Sequence, residues 1–285
     1  MRPATAPART AARSPWRPEA GSPADAGMTS RLAGLRALLI DLEGTVYQAG
    51  RPIPGAVEAI GALAARGVAF AFVTNTTSRP RRAIVEELSA MGLGVTPDLI
   101  FTAPRAARAY LAARNFLRCH FLLNPAVLED IAGIDPVNER PDAVVLGDIG
   151  EEFSFSRLNR AFRFALEGAE LVTLARNRYY SGEDGLLLDV GPFTAALEYA
   201  AGRPATLVGK PSPVFFSGAL AALDADPSGS AVVGDDLEGD VAGGQNAGLT
   251  GILVRTGKFR EGDLERSSVQ PDFVIGSLAD LPGLL

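Results

Sequence analysis

Apolar residues along this chain fall into two kinds of stretch. The first is a set of short unbroken runs, at Ala37–Ile40, Val68–Val73, Cys119–Leu123, Ala143–Leu146, Ser230–Gly234 and Thr250–Val254. Runs of this length are too short for buried helices and predict strands covered on both faces, as in a parallel sheet. Between them, apolar residues recur every three or four positions, which predicts helices over 54–66, 79–91, 106–114, 155–166, 192–201 and 241–246. Residues 170–175 read as a further extended piece, 206–209 as a short strand that delivers Lys210 to a loop, and 273–285 as a last strand and short helix. Strand, helix, strand at this spacing makes right-handed crossovers, so successive strand ends lie side by side. The expected fold class is α/β.

Polar residues cluster where the runs stop. Asp41 and Glu43 follow the first run, and Gly44 then lets the backbone turn. An acid at the end of a buried strand is a candidate nucleophile or metal ligand; it is also a common cap of the loop that follows. Thr74 and Asn75 end the second run, facing the same crevice, where hydroxyl and amide suit phosphoryl oxygens or simply cap the next helix. Asp235, Asp236 and Asp240 follow Ser230–Gly234, and their hard oxygens suit magnesium. Asp148 resembles a catalytic strand end but lacks a second acid at a useful spacing, so it is set aside.

Composition narrows the classes. A formal net charge of −6 argues against a nucleic-acid surface, and no apolar run is long enough to span a bilayer. Cys119 is the only cysteine, which excludes an internal disulfide and points to a reducing, cytoplasmic setting. His120, the only histidine, has no companions for a zinc site and reads as a structural residue. Among 27 basic side chains only Lys210 and Lys258 are lysine. Where arginine is the habit, a retained lysine points to a need for a compact ammonium; Lys210, in Gly209-Lys-Pro, is taken so, and Lys258 as chance. Residues 1–28, rich in Pro, Ala, Arg and Ser, have no hydrophobic period and are expected to be disordered. Met28 is an alternative start.

Taken together, Asp41-x-Glu43, Thr74-Asn75, Lys210-Pro211 and Gly234-Asp-Asp-x-x-x-Asp240 come in that order, each at a strand end. With Arg178-Tyr-Tyr180, Gly185–Pro192, Leu197–Ala200, Gly239-Asp-Val241 and Val254–Arg260, the chain resembles the haloacid dehalogenase superfamily of phosphohydrolases. The likeness is greatest to the phospholysine phosphohistidine inorganic pyrophosphate phosphatase type, in the pyridoxal phosphatase and nitrophenylphosphatase-like branch. It implies a Rossmann-like parallel-sheet core, over 29–104 and 202–285, with a smaller α/β cap inserted over 105–201. It also implies a small phosphorylated substrate, Mg²⁺ as cofactor, and a homodimer through the cap.

The residue roles that the resemblance implies are specific. Asp41 would attack phosphorus and form an aspartyl-phosphate. Mg²⁺ would bind the Asp41 carboxylate, the Glu43 carbonyl and Asp235, with Asp236 and Asp240 holding its waters or orienting its ligands. Lys210 and Thr74 would bind the remaining oxygens, with Leu42, Asn75 and, on the cap, Arg178 near the substrate; Arg176, Asn177 and Tyr179 are further cap candidates. Glu43 departs from the Asp of many relatives by one methylene, which predicts weak proton assistance and a preference for good leaving groups. Two alternatives stay open: a phosphotransferase of the same family, and a catalytically weak phospho-ligand-binding protein.

Overall fold

A computed structural model describes residue 32, residues 34–182 and residues 185–285. The expected disordered extension over 1–28 lies outside them. Six parallel strands form the first sheet, in the spatial order Phe273–Ile275, Thr250–Val254, Ser230–Gly234, Ala37–Asp41, Ala69–Thr74, Ile100–Thr102. Ala37–Asp41 is buried throughout. Its side chains alternate between faces: Leu38 and Ile40 join one hydrophobic cluster, and Leu39 joins the other. A strand covered twice needs apolar residues at every position, which is why the run is unbroken.

A second parallel sheet has five strands, ordered Thr206–Leu207, Glu170–Thr173, Ala143–Leu146, Arg118–Leu122, Asp135–Pro136. Val144 and Leu146 pack under the helices Phe155–Leu166 and Val190–Ala201, while Ala143 and Val145 face the helix Ala103–Ala113. The architecture is thus α/β in both layers, as the pattern predicts. Among the described residues no helix is long and apolar enough to cross a membrane.

Two boundaries differ from expectation for physical reasons. Thr206–Leu207, assigned above to the second part of the core, pairs instead with Glu170–Thr173 in the second sheet. Two half-buried residues carry too little pattern to reveal which sheet they join. The helix expected over 241–246 is preceded by a π-helical turn, Leu237–Ala242, because the Asp236 carboxylate accepts from the Glu238 and Gly239 amides and starts the turn early.

Candidate active site

The carboxyl ends of three adjacent core strands open into one cleft of about 530 Å³. Asp41 is the last residue of its strand, Asp235 follows Gly234, and Thr74 ends the strand on the other side. This is where an open parallel sheet gathers chemistry, since adjacent strand ends diverge there and leave a crevice.

Three buried carboxylates converge: Asp41, Asp235 and Asp240 each offer an oxygen, all within 4.8 Å of one another. Asp240, expected to orient ligands or hold waters, lies within this cluster of oxygens. The π-helical turn carries it back against Gly234, where a Cβ would lie 2.2 Å from Asp240 Oδ2. Asp236 stays outside; besides capping the turn it pairs with Lys258 Nζ at 2.9 Å. Gly44 and Gly257 make room for Asp235. Both have positive φ, and a Cβ on either would meet Asp235 Oδ2 at 2.1 or 2.0 Å.

Lys210 is buried and sits between two of these acids, with Nζ 2.5 Å from Asp41 Oδ1 and 2.6 Å from Asp240 Oδ1. Asn75 fixes it. The Asn75 carboxamide accepts from the Lys210 backbone N–H at 2.8 Å and donates to its carbonyl at 2.9 Å. Asn75 was expected to bind phosphoryl oxygens; its carbonyl and one donor are spent instead on the lysine's main chain. Thr74, half-buried, lines the cleft and accepts from the Thr76 amide at 3.3 Å.

Charge makes the site unusual. Burial lifts Asp41 above the ordinary carboxylate range, and Asp235 adds to the shift against the pull of Lys210. Asp235 is pushed up to about 6, chiefly by burial, although the Lys258 amide opposes it. Asp240 is pushed up to about 7 by burial and by Asp41. Burial would lower Lys210, but Asp240 and Asp41 hold its ammonium above its ordinary value. With every carboxylate ionised, four aspartates against Lys210 and Lys258 leave two negative charges in excess. The raised values of Asp41, Asp235 and Asp240 show that this surplus is costly without a cation. Hard oxygen donors with that surplus fit a divalent cation.

Lys258 was read as chance, and the structure overturns that. Its backbone amide donates to Asp235 Oδ2 at 2.5 Å while its ammonium holds Asp236. Both lysines of the chain therefore stand at the acidic cluster. The scarcity that singled out Lys210 applied equally to Lys258.

The other expected residues divide: Glu43, Arg176 and Asn177 line the cleft, whereas Leu42, Arg178 and Tyr179 do not. Leu42 is buried in the core cluster, so its side chain faces away from any ligand. Glu43 lines the cleft but is exposed, and its carboxylate accepts from the Ala49 amide at 3.0 Å, across the turn of a small hairpin. Arg178 is not among the lining residues; its guanidinium lies over the Tyr179 ring at 5.8 Å. Arg176, Asn177 and Tyr180 line the cleft instead, and Arg176 is held by Glu198 through two bonds of 2.9 and 2.6 Å. Asp148, set aside in the sequence, also lines it, its amide donating to Thr77 Oγ1 at 3.0 Å.

This geometry has counterparts. A model of the haloacid dehalogenase-like hydrolases matches residues 38–133, and one described as HAD-hyrolase-like matches 207–281. The chain is 39% identical over 266 residues to phospholysine phosphohistidine inorganic pyrophosphate phosphatase from Rattus norvegicus, covering 91% of this chain and 97% of that protein. It is 42% identical over 244 residues to haloacid dehalogenase-like hydrolase domain-containing protein 2 from Bos taurus, covering 86% and 93%. Among solved structures, the p-nitrophenyl phosphatase from Archaeoglobus fulgidus superposes with a TM-score of 0.83 at 31% identity, covering 88% of this chain and 99% of that one. The glycerol phosphate phosphatase from Mycobacterium tuberculosis in complex with magnesium gives 0.79 at 30%, covering 88% and 76%. The strand-end carboxylates, the lysine between them and these likenesses lead to one statement: this chain is an enzyme of the haloacid dehalogenase-like hydrolase family, among its phosphatases.

Proposed function

We propose that this enzyme is a magnesium-dependent phosphohydrolase that works through an aspartyl-phosphate on a small phosphorylated substrate. The observation that carries the reading is the contact of Lys210 Nζ with Asp41 Oδ1 beside the Asp235 and Asp240 carboxylates. A phosphoryl group repels a carboxylate unless its charge is met first. Asp41, Asp235 and Asp240 would hold Mg²⁺, which when bound supplies positive charge against the phosphoryl oxygens.

The chain's own residues do the rest. Lys210 steers one Asp41 oxygen and keeps a positive charge beside it, and Asn75 keeps Lys210 in place. An Asp41 oxygen attacks phosphorus while the bond to the leaving oxygen or nitrogen breaks; the leaving group departs with its electron pair and takes a proton from water. Water then attacks the same phosphorus, the acyl phosphate bond opens, and Asp41 and inorganic phosphate are released. Thr74 donates to a phosphoryl oxygen.

Glu43 supports a narrower reading of the first step. With its carboxylate on the Ala49 amide, it gives little help in protonating a leaving group. Turnover of 4-nitrophenyl phosphate should exceed that of a simple alkyl phosphate by about tenfold or more. Equal turnover of both, lost equally in Glu43→Gln, counts against it. The whole reading is tested by magnesium-dependent phosphate release. Chelation should abolish release, and a metabolite panel with and without magnesium then identifies the substrate; release that persists in chelator sinks the proposal. A homodimer through the cap fits the exposed Leu186, Leu187 and Leu188 on the cap hairpin. Sedimentation giving a monomer at micromolar concentration removes that part.

A further inference from the structure

The cap carries a second polar cavity, of about 380 Å³, that shares no residue with the catalytic cleft. It lies between the strand Arg118–Leu122, the loop at Asn138 and the first turns of the helix Phe155–Leu166. Its polar lining is His120, Asn138, Ser156, Arg157 and Arg160, with no carboxylate among the lining residues. The catalytic cleft is the reverse case, rich in acids.

Two guanidiniums there are weakly committed. Arg160 Nη1 reaches only the Asn138 Oδ1 at 3.4 Å, and among the described residues it has no carboxylate partner. Arg157 pairs with Glu152 at 2.7 Å, an ion pair exposed on both sides and so of little strength. Ser156 Oγ lies 3.1 Å from Ser154 Oγ. The back of the cavity is the His120 ring, buried, 3.2 Å from the Val137 carbonyl through Nδ1 and edge-on to Phe164 at 5.0 Å.

We propose that this cavity is a non-catalytic oxyanion site that takes a phosphoryl group between Arg157, Arg160 and Ser156. Arginine presents parallel N–H donors that match phosphoryl oxygens, and a serine hydroxyl supplies a further donor. The volume lies in the range of small-molecule sites, so a phosphorylated metabolite fits as well as free phosphate. The charge of the wall agrees. Burial first, then Arg160 and Arg157, hold the His120 imidazole below its ordinary value, although Val137 and Asn138 act the other way. A bound anion relieves that repulsion.

His120 is the only histidine, so its ring protons give one unambiguous NMR signal. The experiment titrates that signal against pH in the full-length protein, in chelator and at constant ionic strength. One arm adds inorganic phosphate, another phenyl phosphate, and chloride serves as the reference. Phosphate should raise the His120 midpoint by about one pH unit, saturably. Arg157→Ala combined with Arg160→Ala should abolish the response while leaving magnesium-dependent turnover of 4-nitrophenyl phosphate unchanged. Ser156→Asp, which places a fixed anion in the cavity, should raise the midpoint without phosphate. Tighter binding of phenyl phosphate identifies an organic ligand, and equal binding identifies free phosphate; either supports the site. A midpoint that neither anion moves relative to chloride, or that moves equally in the double variant, overturns it.

Discussion

The six-stranded sheet and the five-stranded sheet are built alike, with parallel strands, apolar on both faces and flanked by helices, and they differ at their carboxyl ends. In the first sheet those ends carry Asp41, Thr74 and Asp235 around a cleft. In the second they carry Leu123, Gly147 and Leu174, with Leu123 and Leu174 buried. A Cβ on Gly147 would lie 2.6 Å from Leu123 Cδ2, 3.0 Å from Leu174 Cδ1 and 3.4 Å from Thr77 Cβ. One sheet thus gathers charge at its strand ends, while the other closes apolar surface against the loop after Thr74. The same backbone plan serves opposite ends because strand interiors decide burial and strand termini decide chemistry.

The largest test of that contrast exchanges an acid for its amide on each side. Asp41→Asn should reduce magnesium-dependent turnover of 4-nitrophenyl phosphate by about 10⁴-fold, as expected for loss of a nucleophile. Asp148→Asn, next to the equivalent strand end of the cap, should cost less than about tenfold, with its effect in KM. Comparable losses in the two variants would erase the distinction.

Next in size is the difference between the lysines. Lys210→Met leaves buried carboxylates without their ammonium and should destabilise the protein by about 3–5 kcal/mol in urea denaturation. Lys258→Met removes an ion pair whose lysine is exposed and should change stability by less than about 1 kcal/mol. Equal effects would mean that burial does not separate the two roles.

The smallest effect is a pH dependence. Asp235 and Asp240 titrate near 6 and 7 when folded, above their unfolded values, so the folded state binds more protons than the unfolded one between those limits. Their contribution to stability therefore falls as pH rises from about 4 through 7 in metal-free protein. Asp236, held down by Lys258 against its burial, contributes a stability that is lost only in acid, and Lys210, held up, only in strong base. His120, lowered, opposes the trend, since its burial as a neutral ring costs stability as pH falls. On the proposed function magnesium would separate the terms, because it would compete with protons for the carboxylates and leave His120 alone. Its gain in melting temperature should be several degrees larger at pH 8 than at pH 5; a gain that shrinks with pH would place the cation elsewhere.

Much of this was legible along the chain. The unbroken runs ending in Asp41 and Gly234, and the glycine and proline flanking Lys210, are local signals; each fixes a backbone state or a burial class by itself. Glu43, one methylene longer than the Asp of many relatives, was also visible as a departure, although not that its carboxylate would settle on the Ala49 amide. Asp240 and Asp236 look equivalent in sequence and are not. The turn between them decides which one reaches Asp41.

By itself the sequence determined the longer buried strands and amphipathic helices and which residue types stand at their ends, because periodicity and turn chemistry act over a few residues. Short strands such as Ile100–Thr102, Asp135–Pro136 and the pair Tyr179–Gly182 and Gly185–Leu188 carry too little pattern to be read that way. Only the tertiary structure decided that Asn75 serves Lys210 across 135 positions, that Lys258 anchors Asp235, and that Thr206–Leu207 joins the second sheet. Those outcomes depend on distances between segments remote in the chain, which packing of the two sheets sets and no local pattern encodes.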